Sequence, residues 1–470
     1  MTDSPVPTAT AELPPLTSRE PAADNAPDSP RAATPQRVAA GGFRLFLIVW
    51  FGQLISLVGS SLTGFALGVW VYQRTGSVTQ FSLISLFTTL PGIILSPVAG
   101  ALVDRWDRRW AMVLSDSGAA LATLTIAVLL YLNRLPLWYV YVAMTASSTF
   151  SAVQWPAYTA ATTLLVPKRH LGRAAGLRNL SQSAANLVAP VLGGILLLAI
   201  GIHGVILIDF ATFLFAVSTL MLVRIPRPEE SAETRQAKGS IWREAGYGWS
   251  YVRARQGLFG LLVFSALANL ALGLVQVLAP PMVLAFGTAA QLGTALSIAG
   301  AGFLAGSLLT SVWGGLRRKI DGILVFSTLC GVSILAVGLR PSLVLFTAAA
   351  FLFYFAYAVS GAAGQALWQV KVAPDVQGRV FAIRRLVGWS TFPLAYLCAG
   401  PLADHLFTPL LMPGGALAGS LGAVLGTGKG RGIGLLLVLN GLFLAVVSAG
   451  AYLFPRVRRI EQELPDMISD

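Results

Sequence analysis

The sequence predicts an all-α integral membrane protein with twelve transmembrane helices in two pseudo-symmetric bundles of six. The chain has 470 residues, of which 55% are hydrophobic and only 11% are charged, whereas soluble domains average roughly 25% charged residues. Apolar runs of about 20 residues, the length that crosses a hydrocarbon core, recur along the chain. A water-soluble fold could not bury so many runs, so we expect lipid to cover them.

The spans follow from hydropathy, with breaks at charged residues or at stretches rich in proline and glycine. Six spans precede a polar middle segment and six follow it. In chain order the predicted spans are 43–72, 79–103, 110–132, 137–165, 174–200, 204–223, 257–285, 289–315, 322–339, 342–370, 379–403 and 433–454.

Three polar segments complete the predicted domain organisation. Residues 1–42 are rich in Pro, Ala, Thr and Ser and are predicted to be a disordered cytoplasmic tail. Segment 224–256 begins with prolines and mixes both charge signs, so we interpret it as a cytoplasmic linker whose latter part is a surface helix. Residues 455–470 are predicted to be a second cytoplasmic tail. The two bundles are then predicted at 43–223 and 257–454.

The basic residues are divided by membrane side. The formal net charge is +13, which in a soluble protein would favour nucleic acid as a partner. With the N-terminus inside, all but five of the 33 Lys and Arg residues fall on the cytoplasmic side, as the positive-inside rule requires. We therefore predict a multi-pass protein of the cytoplasmic membrane with both termini cytoplasmic, whose charge reflects orientation and anionic lipid rather than nucleic acid. The five exceptions are Arg74, Arg134, Arg340, Lys429 and Arg431.

The sequence lacks the residue patterns of metal sites and catalytic sites. Cys330 and Cys398 each lie inside an apolar run, so neither a disulfide framework nor a metal site of the usual spacing is expected. The polar segments contain no nucleophile–base pair and no phosphate-binding glycine loop. We therefore expect no cofactor, no metal and no enzymatic activity. The glycine-rich stretch 404–432 is predicted to be a flexible external loop.

The two halves of the chain repeat a short pattern. VPKRHLGRAAGLR precedes and enters the fifth span, and VAPDVQGRVFAIRR precedes and enters the eleventh. Aligning Gly172 with Gly378 superposes Arg178 on Arg384. Duplicated halves of this kind are common in membrane transporters, so the repeat supports two related bundles.

The loop between the second and third spans carries a specific motif. It reads GALVDRWDRR from Gly100 to Arg109 and resembles the signature G-x-L-x-D-R-x-G-R-[KR] of the major facilitator superfamily. The resemblance implies the major facilitator fold and a loop that latches the two bundles in one state, whereas the alternative is a basic loop that only sets topology. Asp107 departs from the signature, as in the macrolide-efflux-like and siderophore-exporter-like branch. The predicted latch residues are Gly100, Asp104, Arg105, Arg108 and Arg109.

The fifth span resembles a second motif of that family. GLRNLSQSAANLVAPVLGG follows the spacing of the antiporter signature G-x8-G-x3-G-P-x2-G-G, with alanine at two glycine positions. In the family this motif marks exporters, but small residues and a proline also serve ordinary helix packing, which is the alternative. The motif residues here are Gly176, Ala185, Ala189, Pro190, Gly193 and Gly194. The first span also looks like the drug and siderophore exporter branch.

Polar residues at helical spacing indicate a cavity, because polar side chains in a lipid span are costly unless they face the bundle interior. In the major facilitator fold the first, fourth, seventh and tenth spans line the central cavity. The resemblance and the spacing together predict substrate contacts at Gln53, Tyr158, Gln182, Asn186, Asn269, Gln276, Tyr357, Gln365 and Trp368. The alternative for each residue is a hydrogen bond between helices or a place in an interfacial aromatic belt.

The predicted cavity is amphipathic and nearly uncharged, which suits a bulky apolar solute with a few polar groups. No arginine pair is expected deep in the spans, which disfavours phosphate esters and organic anions. Proton coupling needs an acidic group inside a span, and Asp209 is the first choice, ahead of Asp116 and Asp404. The alternative for Asp209 is an interfacial or packing role. Related exporters place a carboxylate in the first or fourth span, and this sequence has none there.

The leading hypothesis is a secondary active transporter, an alternating-access exporter of a lipophilic drug, macrolide-like compound or siderophore-like metabolite, driven by protons. A facilitator-fold importer is the second hypothesis, because the fifth-span motif is altered. A non-transporting membrane receptor is the third. We expect a monomer whose partners are a small-molecule substrate, protons and the lipid bilayer.

Overall fold

The computed structural model describes residues 42–223 and 241–467, apart from the side chains at positions 97, 98, 100, 101, 104, 105 and 241–245. Residues 1–41 of the predicted tail 1–42, residues 224–240 of the predicted linker and the last three residues therefore lie outside the described residues. The described part of the chain is helical and contains no strand. The twelve long helices are α1 (Gly42–Thr75), α2 (Val78–Arg105), α3 (Arg108–Tyr131), α4 (Leu137–Leu165), α5 (Leu171–Ala199), α6 (Gly201–Leu222), α7 (Gln256–Leu284), α8 (Ala289–Trp313), α9 (Lys319–Leu339), α10 (Leu343–Lys371), α11 (Gln377–Pro401) and α12 (Arg431–Leu453).

The fold class predicted from hydropathy is confirmed. Both ends of every long helix lie within three residues of the predicted span. Eleven of the twelve long helices in the described part of the chain are apolar enough to cross a membrane, and α4 is the exception. α4 is more polar because it turns Ser147, Ser151 and Gln154 toward an internal cavity. Its polar residues are thus kept away from lipid.

Local sequence explains where several helices begin. The Ser77 hydroxyl accepts a hydrogen bond from the Gln80 amide at the start of α2. Thr288 and Gln291 form a reciprocal capping box at the start of α8. Asp107 caps α3 by accepting a bond of 3.0 Å from the Arg109 amide. The residue that departs from the family signature therefore has a local structural role.

Small residues allow the helices within a bundle to pack closely. A Cβ atom placed on Gly331 of α9 would lie 2.8 Å from the carbonyl oxygen of Gly441 in α12. One placed on Gly434 of α12 would lie 2.8 Å from the carbonyl oxygen of Gly338 in α9. The two backbones are therefore in contact. Close contact of this kind stabilises membrane helices through van der Waals interactions, because no hydrophobic effect drives helices together in lipid.

The two bundles meet near one face of the molecule. The term termini face denotes the side of the molecule where α1 begins and α12 ends. The term opposite face denotes the other side. Next to the opposite face, α5 packs on α8 and α2 packs on α11. A Cβ atom on Gly194 of α5 would lie 2.6 Å from the carbonyl oxygen of Ala289, so these backbones touch. The Ser297 hydroxyl of α8 donates to the Leu187 carbonyl of α5.

Two connecting segments are folded. The latter part of the predicted linker forms a helix, Ile241–Arg253, which packs on α11 and buries Val252. The glycine-rich stretch after α11 contains two short helices, Thr408–Leu411 and Leu421–Leu425. Both close on a small apolar cluster that buries Leu411 and Leu425. The glycine-rich composition predicted a flexible loop, whereas part of this loop is helical and packed.

Candidate functional site: a two-part cavity between the bundles

Two adjoining cavities occupy the centre of the molecule. The N-bundle cavity has a volume of about 640 Å³ and is lined by residues of the first six helices together with Gln276 and Tyr396. The C-bundle cavity has a volume of about 670 Å³ and is lined by residues of α7, α9, α10, α11 and α12. Gln276 lines both cavities and accepts a hydrogen bond of 2.7 Å from the Tyr396 hydroxyl. The volumes are those of small-molecule sites.

A buried carboxyl group lies in the wall of the N-bundle cavity. Asp116 of α3 is only 3% exposed. The Gln53 side chain of α1 donates to its Oδ2 at 2.9 Å, and the Gln154 side chain of α4 donates to its Oδ1. Gln154 also donates to the Gln53 Oε1 at 2.7 Å. Three helices thus meet at one polar cluster, as expected for a buried acid that must keep hydrogen-bond partners.

A second buried carboxyl group, Asp209 of α6, lines the same cavity. It is 4% exposed and accepts a hydrogen bond of 3.2 Å from the Ser60 hydroxyl of α1. Gly59 lets α1 approach this carboxylate, since a Cβ atom there would lie 3.0 Å from the Asp209 Oδ1. Asp209 is therefore held inside the bundle rather than at a helix end that could reach water cheaply.

The C-bundle cavity is aromatic. Phe353 and Tyr357 of α10 stack with ring centroids 6.2 Å apart and an interplanar angle of 9°. Asn269 donates to the Gly388 carbonyl at 3.3 Å, which joins α7 to α11. Among the described residues, eight aromatic residues line the C-bundle cavity: Phe264, Phe353, Tyr354, Tyr357, Trp368, Phe381, Trp389 and Phe392. Such a surface fits the apolar body of a ligand.

Eight of the nine predicted substrate-contact residues line these cavities. Gln53, Tyr158 and Gln182 line the N-bundle cavity, and Gln276 lines both. The residues on the C-bundle side are Asn269, Gln276, Tyr357, Gln365 and Trp368. Asn186 is the exception: its exposed side chain accepts a bond of 3.3 Å from Gln182 and lines neither cavity. Substrate contact itself stays a prediction.

The expectation of a nearly uncharged cavity is wrong. Asp116, Asp209 and Arg178 line the N-bundle cavity, and Arg384 and Arg385 line the C-bundle cavity. The expectation that no arginine pair lies deep in the spans is also wrong, because Arg178 and Arg384 each lie seven residues inside a helix and line a cavity. At about 1.5 Å per residue, that depth is roughly 10 Å from the helix start. Organic anions are therefore no longer disfavoured as substrates.

The described part of the predicted latch motif holds the first bundle together. Arg109 donates from Nε to the Leu220 carbonyl at 3.0 Å and from a terminal nitrogen to the Met221 carbonyl at 2.5 Å. A cation at the last carbonyl groups of a helix also matches the helix dipole. Arg108 has its Nε buried without a hydrogen-bond partner. The side chains of the other predicted latch residues, Gly100, Asp104 and Arg105, lie outside the described residues.

The antiporter-like motif lies where the bundles meet. A Cβ atom on Gly293 of α8 would collide with the Pro190 carbonyl oxygen of α5. Gly194 touches Ala289 across the same contact, and Gly193 approaches the Phe65 ring of α1. Ala185 and Ala189 are buried within the first bundle, whereas a Cβ atom on Gly176 would meet nothing within 4 Å. Two of the six motif residues, Pro190 and Gly194, thus make close backbone contacts between the bundles.

A carboxylate from the second bundle caps a helix of the first. Asp404, just after α11, accepts hydrogen bonds from the Ser77 hydroxyl at 2.7 Å, the Val78 amide at 3.0 Å and the Thr79 amide at 2.8 Å. These groups are the unsatisfied donors at the start of α2, where the helix dipole favours a negative charge. Asp404 therefore joins the bundles at the opposite face.

Sequence reasoning missed three residues of the site. Gln154 follows Ser151 by three positions and precedes Tyr158 by four, so helical periodicity could have placed it on the cavity face. Arg178 and Arg384 were aligned with each other, but their depth in the cavity depends on where α5 and α11 begin. That depth is a tertiary fact that hydropathy does not resolve.

The chain is similar to known membrane transporters. The model of the Major Facilitator Superfamily matches residues 49–396. Macrolide efflux protein A of Streptococcus pyogenes is 28% identical over 371 residues, covering 77% of this chain and 90% of that protein. The enterobactin exporter EntS of Salmonella choleraesuis (strain SC-B67) is 26% identical over 343 residues, covering 71% of this chain and 80% of that protein.

Among solved structures, a bacterial homologue of the human lysosomal transporter Spinster has the same fold. It superposes with a TM-score of 0.68 at 15% identity, covering 92% of this chain and 99% of that chain. The family model spans well over half of the sequence, and the twelve helices match its fold. The protein therefore belongs to the Major Facilitator Superfamily, and it is a multi-pass membrane transporter of small molecules rather than an enzyme.

Proposed function

We propose that the protein exports a lipophilic small molecule across the cytoplasmic membrane in exchange for protons. The observation that carries the proposal is the pair of buried carboxyl groups, Asp116 and Asp209, in one cavity between the bundles. Acidic side chains inside a membrane span are costly and commonly belong to proton relays. The efflux and export named for the similar proteins support the outward direction.

The depth of the two carboxyl groups fits a relay. Asp116 lies eight residues from the start of α3 at the termini face, and Asp209 lies eight residues from the start of α6 at the opposite face. Each is thus about 12 Å from its own face, at 1.5 Å per residue. In a hydrocarbon core of about 30 Å, Asp116 is therefore nearer the termini face and Asp209 is nearer the opposite face. A proton could therefore load from one side and leave toward the other.

Alternating access follows from the contacts between the bundles. Asp404 on the start of α2, and the contact between Gly293 and Pro190, join the bundles at the opposite face. Opening that face requires both contacts to separate while the helices within each bundle stay packed. We propose that the described conformation is the state closed to the outside, with the termini face cytoplasmic as the positive-inside rule predicts.

The substrate class follows from the cavity walls. The aromatic C-bundle cavity offers an apolar surface, and the N-bundle cavity offers hydroxyl, amide and carboxyl groups. An amphipathic molecule with one apolar body would use both walls. Both cavities belong to one chain, so we propose a functional monomer.

Transport by membrane vesicles tests direction and coupling. Inverted vesicles that contain the protein, with an acidic interior, should accumulate radiolabelled erythromycin or a lipophilic dye, and a protonophore should abolish the accumulation. Vesicles from cells without the protein are the control. Accumulation only in right-side-out vesicles would instead identify an importer. Binding without transport in either orientation would identify a receptor.

A further inference from the structure

The internal repeat places an arginine at the same depth in each bundle. Arg178 is seven residues into α5, and Arg384 is seven residues into α11. Each guanidinium bonds a side chain 19 residues earlier: Arg178 donates to the Thr159 hydroxyl at 3.0 Å and Arg384 to the Gln365 amide oxygen at 3.0 Å. The two arginines line the two cavities. The two bundles therefore share a cavity-lining arginine at the same helix position as well as the same helical arrangement.

Each repeated arginine also lies against an indole ring. The Arg178 guanidinium carbon is 5.1 Å from the Trp155 ring centroid, and that of Arg384 is 5.3 Å from the Trp368 ring centroid. Such cation–π contacts orient a guanidinium without neutralising it. Among the described residues, no carboxylate forms an ion pair with either arginine. Both positive charges are thus left for another partner.

The arginine of the first bundle has unused hydrogen-bonding capacity. The Arg178 Nε is buried and has no hydrogen-bond partner among the described residues, and the same holds for the Tyr158 hydroxyl. Both residues line the N-bundle cavity, and Arg178 donates to Thr159, the residue that follows Tyr158. A buried donor without a partner is unfavourable and is rare in native structures. Two such donors at the wall of one cavity indicate a missing acceptor.

The nearby acid does not supply that acceptor. Asp116 lines the same cavity but is held by Gln53 and Gln154 on other helices. Arg178 is therefore left without this carboxylate as a partner, although both residues line the same cavity.

We propose that Arg178 and Tyr158 form a binding subsite for a carboxylate of the transported molecule, with Arg384 as the repeat-related counterpart in the C-bundle cavity. The substrate is then an amphipathic organic acid: its carboxylate accepts from the Arg178 Nε–H and the Tyr158 O–H, and its apolar body lies against the aromatic wall. A planar guanidinium binds a carboxylate through two parallel bonds, which a lysine cannot do. This assignment rests on the proposed transport function.

A pair of isosteric probes tests the subsite on the full-length purified protein. 2-Naphthoate and 2-naphthamide share one ring system and differ only in charge. Calorimetric titration should give a dissociation constant for naphthoate at least about tenfold lower than for naphthamide, as charge-assisted hydrogen bonds predict. Arg178→Gln should equalise the two probes, and Arg178→Lys should retain part of the preference.

Controls separate the subsite from folding and from transport. Arg173→Gln removes an exposed arginine of the same helix that lines neither cavity, so it should leave the preference intact. Tyr158→Phe removes a single oxygen atom and should lower the preference even if Arg178→Gln does not fold. Equal binding of the two probes to the unaltered protein, or a full naphthoate preference in Tyr158→Phe and Arg178→Gln, would overturn the assignment. A carboxylate preference without accumulation of radiolabelled 2-naphthoate in inverted vesicles would overturn the export proposal and leave the subsite standing.

Discussion

The two bundles share one helical plan, but the cavities they form differ in chemistry. Among the described residues, the N-bundle cavity is lined by Asp116, Asp209, Arg178, eleven serines and threonines and five aromatic residues. The C-bundle cavity is lined by three serines and eight aromatic residues, with arginine as its charged residue type. Duplication kept the helix packing and the cavity arginine, whereas the acids occur on one side only. This difference supports a division of work in which the first bundle couples protons and the second binds the apolar part of the substrate.

The largest expected effect comes from removing the acids of the first bundle. Asp116→Asn and Asp209→Asn should each abolish proton-driven accumulation in inverted vesicles, because the amide cannot gain and lose a proton. Folding and probe binding should be retained, since asparagine has nearly the same volume. Asp375→Asn, the same change at an exposed position that lines neither cavity, is the control and should leave accumulation intact. Unchanged accumulation in Asp209→Asn would remove that residue from the mechanism.

A second test weakens the junction between the bundles. Asp404→Ala removes the acceptor of three hydrogen bonds at the start of α2. Hydrogen bonds to charged groups contribute about 1.5–3 kcal/mol, so the population open at the opposite face should rise roughly 10- to 100-fold. The measurement is labelling of Ser85→Cys, a cavity position, by an impermeant thiol reagent applied to intact cells, in a background with Cys330→Ser and Cys398→Ser.

Asp404→Asn is the matched control for the junction. Asparagine keeps one acceptor oxygen without the charge, so the rise in labelling should be smaller than for alanine. Labelling that does not change in Asp404→Ala would show that this contact does not hold the bundles closed.

Substitutions at two glycines of α8 test the contact between the bundles by steric overlap. A Cβ atom on Gly293 collides with the rigid Pro190 carbonyl, whereas one on Gly300 would lie 3.2 Å from a methyl group of Leu187, which can move. Overpacking costs about 1–3 kcal/mol, so Gly293→Ala should disfavour the closed opposite face and slow transport. Gly300→Ala should have little effect. Equal transport rates in the two variants would contradict a tight contact at this point of the cycle.

The smallest expected effect is in the aromatic cavity. Tyr357→Ala removes an aromatic ring from the cavity wall against which the apolar body of the substrate is proposed to lie. Aromatic pairs contribute about 0.5–1.5 kcal/mol beyond burial, so the apparent KM for an aromatic substrate should rise roughly two- to tenfold. The dependence of transport on the proton gradient should not change. A changed dependence would mean that the second bundle also takes part in coupling.

The sequence predicted the helices better than the site. Span boundaries agree with the helices because twenty apolar residues and a polar break are local properties. The eight predicted residues that line the cavities were found because polar positions repeat at helical spacing on helices that the family places centrally. Asn186 fits the same spacing with Gln182 but lines neither cavity, since spacing identifies a helix face and not what lies opposite that face.

The sequence by itself determined a twelve-helix membrane protein, its family and the cavity-lining helices, because lipid selects apolar length and family motifs are short and local. Only the tertiary structure decided which charges share a cavity, that Asp116 is held by residues of two other helices, and that Asp404 caps a helix of the other bundle. These contacts join residues as much as 327 positions apart. Their geometry depends on how helices pack across the bundles, which no local pattern encodes.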